Sequence, residues 1–170
     1  MAEPLIERAK DLERARLLSA AGELTAALQI VDALLEGEPA HVDALLLKAG
    51  VLLQSRQEEA ALAHFERTAL LAPGSAEAQN GLARCLHAMG RNDLALARAL
   101  AARELLGRPE NFAQTAPVYL TLVWVQREMR RFKEALLTAE EGLARCPDAV
   151  LAQWASVVEQ ELEAAQQERC

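Results

Sequence analysis

The chain has 170 residues, 52% apolar but only 4% aromatic, and 25 acidic against 18 basic residues leave a formal charge of −7. That length corresponds to about one domain, and the scattered acidic excess, with no Lys/Arg run, excludes a broad nucleic-acid footprint. Leu and Ala dominate and favour helix, while the few Gly (8) and Pro (6) residues argue against a turn-rich sandwich or barrel, so the expected class is all-α.

In chain order, the first ten residues carry Glu3, Glu7, Arg8 and Lys10 and lack an apolar stretch of signal-peptide length. No run of about 18 uncharged apolar residues occurs anywhere, so no membrane span and no membrane partner are expected. The sequence reads as that of a cytoplasmic protein, and its Ala, Leu and Arg content fits a GC-rich bacterial gene.

From Arg8 onward the chain repeats every 34 residues. Pro39 and Pro73 are separated by 34, Gly22 and Gly90 by twice that, and Ala27, Ala61 and Ala95 keep the same period. The period continues to Ala135 and Pro147 when Glu110 to Thr115 is taken as an insertion of six residues. The expected units are 8–41, 42–75, 76–109 and 116–149, within a single domain spanning 1–170.

Each unit reads as two helices joined by a short turn. In the third, Leu82, Leu86 and Met89 recur at helical spacing, Gly90-Arg91-Asn92 breaks the run, and Leu94, Leu96, Leu100 and Leu105 open a second amphipathic stretch. Gly at such a turn suits the left-handed conformation that ends a helix, and a proline after the second helix cannot continue it. After the fourth unit, Asp148 is an expected N-cap for a final helix over 150–168. Its Leu151, Trp154, Val158 and Leu162 face one way, with Glu159, Glu161, Glu163 and Glu168 on the polar side, as a solenoid needs at its end.

These features resemble the tetratricopeptide repeat (TPR) family over about five-sixths of the chain. The family's small eighth residue is Ala15, Ala49, Ala83 and Val123, and its alanine at the twentieth position is Ala27, Ala61, Ala95 and Ala135. The twenty-fourth position holds Val31, Phe65, Ala99 and Ala139, and the thirty-second Pro39, Pro73, Gly107 and Pro147. Small residues at the eighth and twentieth positions let the two helices of a unit touch; larger ones would overpack them at a cost of about 1–3 kcal/mol. Five departures stand out. Arg14 and Lys48 replace a large apolar residue, as does Gln126, and Arg56 and Arg130 stand where the turn glycine belongs. The first and fourth units are therefore expected to be looser. The resemblance implies a right-handed α-solenoid of four helix pairs closed by the capping helix.

Catalytic signatures are missing: there is no G-x-S-x-G, phosphate loop, H-E-x-x-H or calcium loop. His41, His64 and His87 fall in three different settings, and Cys85 and His87, two apart on one helix, face different ways. Cys85, Cys146 and Cys170 are far apart with no C-x-x-C pair. No catalytic residue, metal site or cofactor is expected, and the protein is read as a non-enzyme.

The working part is then surface. By resemblance, the first helices of the units line a concave groove, and the residues carried onto it are Arg16, Leu46, Leu53, Asn80, Arg84, His87, Leu120, Trp124 and Arg127. Leu151, Trp154 and Val158 join them if the last helix keeps the register. Arginines bind carboxylates bidentately, Asn pairs with extended backbone, and Trp and Arg are frequent interface anchors. The expected partner is a protein or peptide segment with apolar and acidic residues. The carboxylate clamp of TPR co-chaperones is not expected, because Leu12, Arg16, Leu47, Glu77 and Gly81 occupy its positions in one frame and Leu46, Gly50, Gly81, Pro117 and Thr121 in the next. The expected function is a protein-interaction adaptor; the alternatives are a bacterial secretion-type chaperone shielding an apolar substrate and a self-assembling homo-oligomeric scaffold.

Overall fold

The computed structural model describes residues 3–168, so Cys170 lies outside the described residues. The described chain is helical throughout and falls into two compact units, Met1–Gly74 and Ser75–Cys170. The first contains α1 (Glu3–Ala20), α2 (Leu24–Gly37), α3 (Val42–Gln54) and α4 (Glu58–Leu71). The second contains α5 (Ala76–Ala88), α6 (Asn92–Leu105), a 3-10 segment (Pro109–Gln114), α7 (Thr115–Glu128), α8 (Phe132–Arg145) and α9 (Ala149–Gln167). Sequential helices pack as antiparallel pairs, α1 with α2, α3 with α4, α5 with α6 and α7 with α8, and α9 packs on α8 and α7.

The pairs close where the side chains are smallest. Ala15, Ala49, Ala83 and Val123 are fully buried, as are Ala27, Ala61, Ala95 and Ala135 on the partner helices. Each turn inside a pair uses one left-handed residue: Gly22 (φ 81°), Arg56 (φ 59°), Gly90 (φ 74°) and Arg130 (φ 58°). In all four the next residue donates its N–H to a carbonyl five positions back, as from Arg91 to Leu86 at 2.8 Å and from Arg131 to Gln126 at 2.9 Å. The two arginines thus take the glycine's backbone conformation, and the turn keeps its form.

Local caps set where helices begin. The His41 Nδ1 accepts from the Ala44 N–H at 3.3 Å, Ser75 Oγ from Ala78 at 3.1 Å, and Asp148 Oδ1 from Leu151 at 2.8 Å.

The basic departures keep their charge outward. Lys48 is half-buried and reaches Asp32 at 2.7 Å, while Arg14 is exposed. In the second unit Tyr119, Leu122, Val123, Leu151 and Val158 are buried in one core with Ala135 and Ala139. That core closes around the fourth helix pair, yet the expected looseness holds: α1 with α2 and α7 with α8 meet less extensively than α3 with α4 and α5 with α6. A Cβ on Gly142 would stand 2.6 Å from Tyr119 Cγ and 2.7 Å from a Leu151 methyl, so only glycine lets α7, α8 and α9 approach this closely.

The inserted residues have a structural task. Asn111, 4% exposed, accepts the Ala76 N–H at 3.1 Å through Oδ1 and donates Nδ2 to the Leu105 carbonyl at 3.0 Å. One side chain therefore satisfies an unpaired N–H at the start of α5 and a carbonyl at the end of α6.

Candidate functional site

The residues carried onto the groove by resemblance fall on the first helices of the pairs. In Met1–Gly74 these are α1 and α3. Leu46 and Leu53 are half-buried, and Arg16 is exposed, 3.9 Å from Glu13 one turn away. The Gln54 amide donates to the buried Ser19 hydroxyl at 3.5 Å and ties the two helices together across this face.

In Ser75–Cys170 the face is built by α5, α7 and α9. Helical spacing selects its members: Asn80, Arg84 and His87 on α5, Leu120, Trp124 and Arg127 on α7, and Trp154 and Glu161 on α9 each follow an i, i+4, i+7 stripe. Arg84 is exposed and makes no ion pair among the described residues. Asn80 is 3% exposed, and its Oδ1 has no hydrogen-bond partner among the described residues. The His87 ring lies 2.8 Å from the Asn92 amide oxygen, a contact that links the end of α5 to the start of α6.

Trp124 is half-buried, with its indole N–H enclosed and without an acceptor. Its ring meets Trp154 edge-on, the centroids 6.1 Å apart and the planes at 72°. The Arg127 guanidinium lies over the Trp154 ring, 5.5 Å from its centroid. Arg127 also donates Nε to Glu161 Oε2 at 2.8 Å and Nη2 to the other oxygen of the same carboxylate. That hydrogen-bonded pairing raises the Arg127 pKa further, against the smaller cost of burial.

Of the three residues expected on the groove from the last helix, two are placed differently. Leu151 and Val158 are fully buried in the core and are closed to any partner; Trp154 alone of the three remains half-exposed. Glu161, assigned by its letters to the solvent side, is half-buried against Arg127. The repeat itself carried the signal for it, since Glu161 follows Arg127 by 34 residues and takes the equivalent place on the next first helix. Among the described residues no group of three or more His, Cys, Asp or Glu side chains could hold a metal ion, and no helix is long and apolar enough to cross a membrane.

Comparison with known proteins matches this architecture. Two tetratricopeptide repeat family models match, one over residues 12–69 and the other over 74–148. The chain belongs to the tetratricopeptide repeat family. Solved TPR structures share its fold at low identity. TTC0263, a TPR protein of Thermus thermophilus, superimposes with a TM-score of 0.81 at 18% identity over 91% of this chain and 82% of its own. PilF of Pseudomonas aeruginosa gives 0.77 at 19% identity, over 94% and 72%. The Yersinia enterocolitica type III secretion translocator chaperone SycD gives 0.65 at 18%, over 72% and 93%. No curated protein sequence matches the chain. TPR chains are a protein-interaction fold and are generally non-catalytic.

Proposed function

We propose that this TPR chain is a non-enzymatic adaptor that holds a peptide or helical segment of another protein against the first helices of its repeats. The binding units are taken as 8–41, 42–75, 76–109 and 116–149, with 110–115 as an insertion and 150–168 as the cap. One observation carries the reading. On the α5–α7–α9 face, a half-exposed tryptophan pair stands on the same side as the exposed Arg84 and the half-buried Leu120. The indole rings and Leu120 supply apolar contact to a bound segment, and the Arg84 guanidinium supplies donors for its carbonyl or carboxylate oxygens. Such a segment must be ordered on binding, which sets the expected affinity at about micromolar.

The test is a pull-down from the source cell followed by titration of the recovered partner. Trp124→Ala is expected to weaken binding by about tenfold or more. Retention of wild-type affinity by both Trp124→Ala and Asn80→Ala would refute this face as the binding surface. A second reading, a chaperone shielding an apolar secreted partner, draws on the shared fold with SycD. Under that reading the partner is insoluble unless co-expressed with this chain.

A further inference from the structure

Arg127 stands between two carboxylates. Glu161 holds it through two hydrogen bonds, and Glu128 Oε2 lies 4.0 Å from its Nη1. One guanidinium and two carboxylates give this spot a local formal charge of −1. An incoming carboxylate therefore meets net repulsion, and to reach Arg127 it must displace a bidentate, charge-assisted pair that is already made. An uncharged side chain meets no such barrier. Trp124, Trp154 and Leu120, all half-buried, offer it apolar surface on the same face.

We infer that Glu161 is a specificity-determining residue of this face: by cancelling Arg127 it makes the α7–α9 part select uncharged apolar side chains and reject acidic ones. The inference rests on the reading that this face binds a segment of another protein. It revises the acidic complement that an arginine at position 127 suggests by itself. Arg84, exposed on α5, is left as the cation of this face able to meet a partner's carboxylate.

The chain's two tryptophans are Trp124 and Trp154, so intrinsic fluorescence reports on this face directly. The probes are a blocked hexapeptide of alternating serine and leucine, and the same peptide with glutamate at every leucine. Wild type is expected to bind the leucine probe at least about fivefold more tightly. Glu161→Gln is expected to raise the affinity for the glutamate probe relative to the leucine probe by about tenfold, and the Arg127→Gln/Glu161→Gln double variant to lose that gain. Glu128→Gln, which leaves α9 untouched, moves the glutamate probe in the same direction by a smaller factor and guards against a folding defect in α9. A glutamate probe that binds wild type more tightly than leucine, or that ignores both Glu161→Gln and Glu128→Gln, overturns the inference alone. Failure of both probes to bind any variant overturns the binding-face reading along with it.

Discussion

The Tyr119 hydroxyl donates to Glu141 Oε1 at 2.6 Å, joining α7 to α8 at the edge of the core. Glu141 also receives Arg103 at 3.5 Å and Arg145 at 3.6 Å, so a carboxylate at this edge is held by one phenol and two guanidinium groups. Burial, followed by the hydrogen bond to Glu141, pushes the Tyr119 pKa up to about 12. The folded form thus holds its phenolic proton where the unfolded chain loses it. Stability linked to this group is complete below pH 10 and falls by about tenfold in the folding constant per pH unit between 10 and 12. Tyr119 is the chain's one tyrosine, so ultraviolet difference absorbance follows its titration directly. Tyr119→Phe is expected to lower stability in urea unfolding by about 1.5–3 kcal/mol and to remove the linked slope.

Gly142→Ala is expected to be among the more damaging single-methyl changes in this chain. The new Cβ meets Tyr119 and Leu151, both fully buried, and neither ring nor branched methyl has room to retreat. A loss of about 1–3 kcal/mol follows from overpacking of this kind. Chemical denaturation followed by tryptophan emission checks it, since Trp154 lies on the same helix as Leu151.

Arg56 carries a left-handed backbone that a β-carbon disfavours by about 1–2 kcal/mol, part of which glycine's extra freedom in the unfolded chain offsets. Arg56→Gly is therefore expected to raise stability by about 0.5–1 kcal/mol, and Gly90→Ala to lower it by about 1 kcal/mol. Thermal melting of the two variants beside wild type decides between a turn-specific effect and a generic one. A fall in melting temperature for Arg56→Gly would count against the strain argument.

His64 is half-buried on α4, and burial, then the charges of Lys48 and Arg67, lower its pKa. The unfolded chain accepts the proton first as the solution is acidified. The stability tied to neutral His64 is whole above pH 6.5 and is lost as pH falls through the lowered folded value. His64→Gln is expected to flatten that acid limb in a series of urea midpoints taken from pH 7.5 to pH 5.

Asn111 supplies a fifth stability test. Asn111→Ala leaves the Ala76 N–H and the Leu105 carbonyl without this partner in a buried setting, at about 1–3 kcal/mol. Hydrogen exchange at Ala76 is expected to quicken in the variant.

The repeat period was legible because its information is local. Alanines at 27, 61 and 95 fall in phase, and each is fully buried where two helices touch. Gly22 and Gly90 marked turns for the same reason, and Asp148 marked the start of the last helix through a bond only three residues long. The looseness expected of the first and fourth pairs agrees with the packing, since α1–α2 and α7–α8 meet less extensively than the middle pairs, even though Arg130 keeps the left-handed turn and Tyr119 fills the core behind it. Trp154 was open to two readings, core or surface, and the structure gives it both, one face packed and the other exposed.

Composition and periodicity alone determined the helical class, the pairing of neighbouring helices and their small-residue contacts, since all of these follow from spacings within a single 34-residue unit. Only the tertiary structure decided which charges are spent. Arg127 meets Glu161 34 residues away, Tyr119 meets Glu141 22 away, and Asn111 reaches Ala76 35 away. The 34-residue period places Glu161 opposite Arg127, but the pairings of Tyr119 and Asn111 depend on which faces of separate helices are pressed together, a property of packing that no run of letters expresses. The same packing turns Arg127 from a cation offered to a partner into one already answered by its own chain.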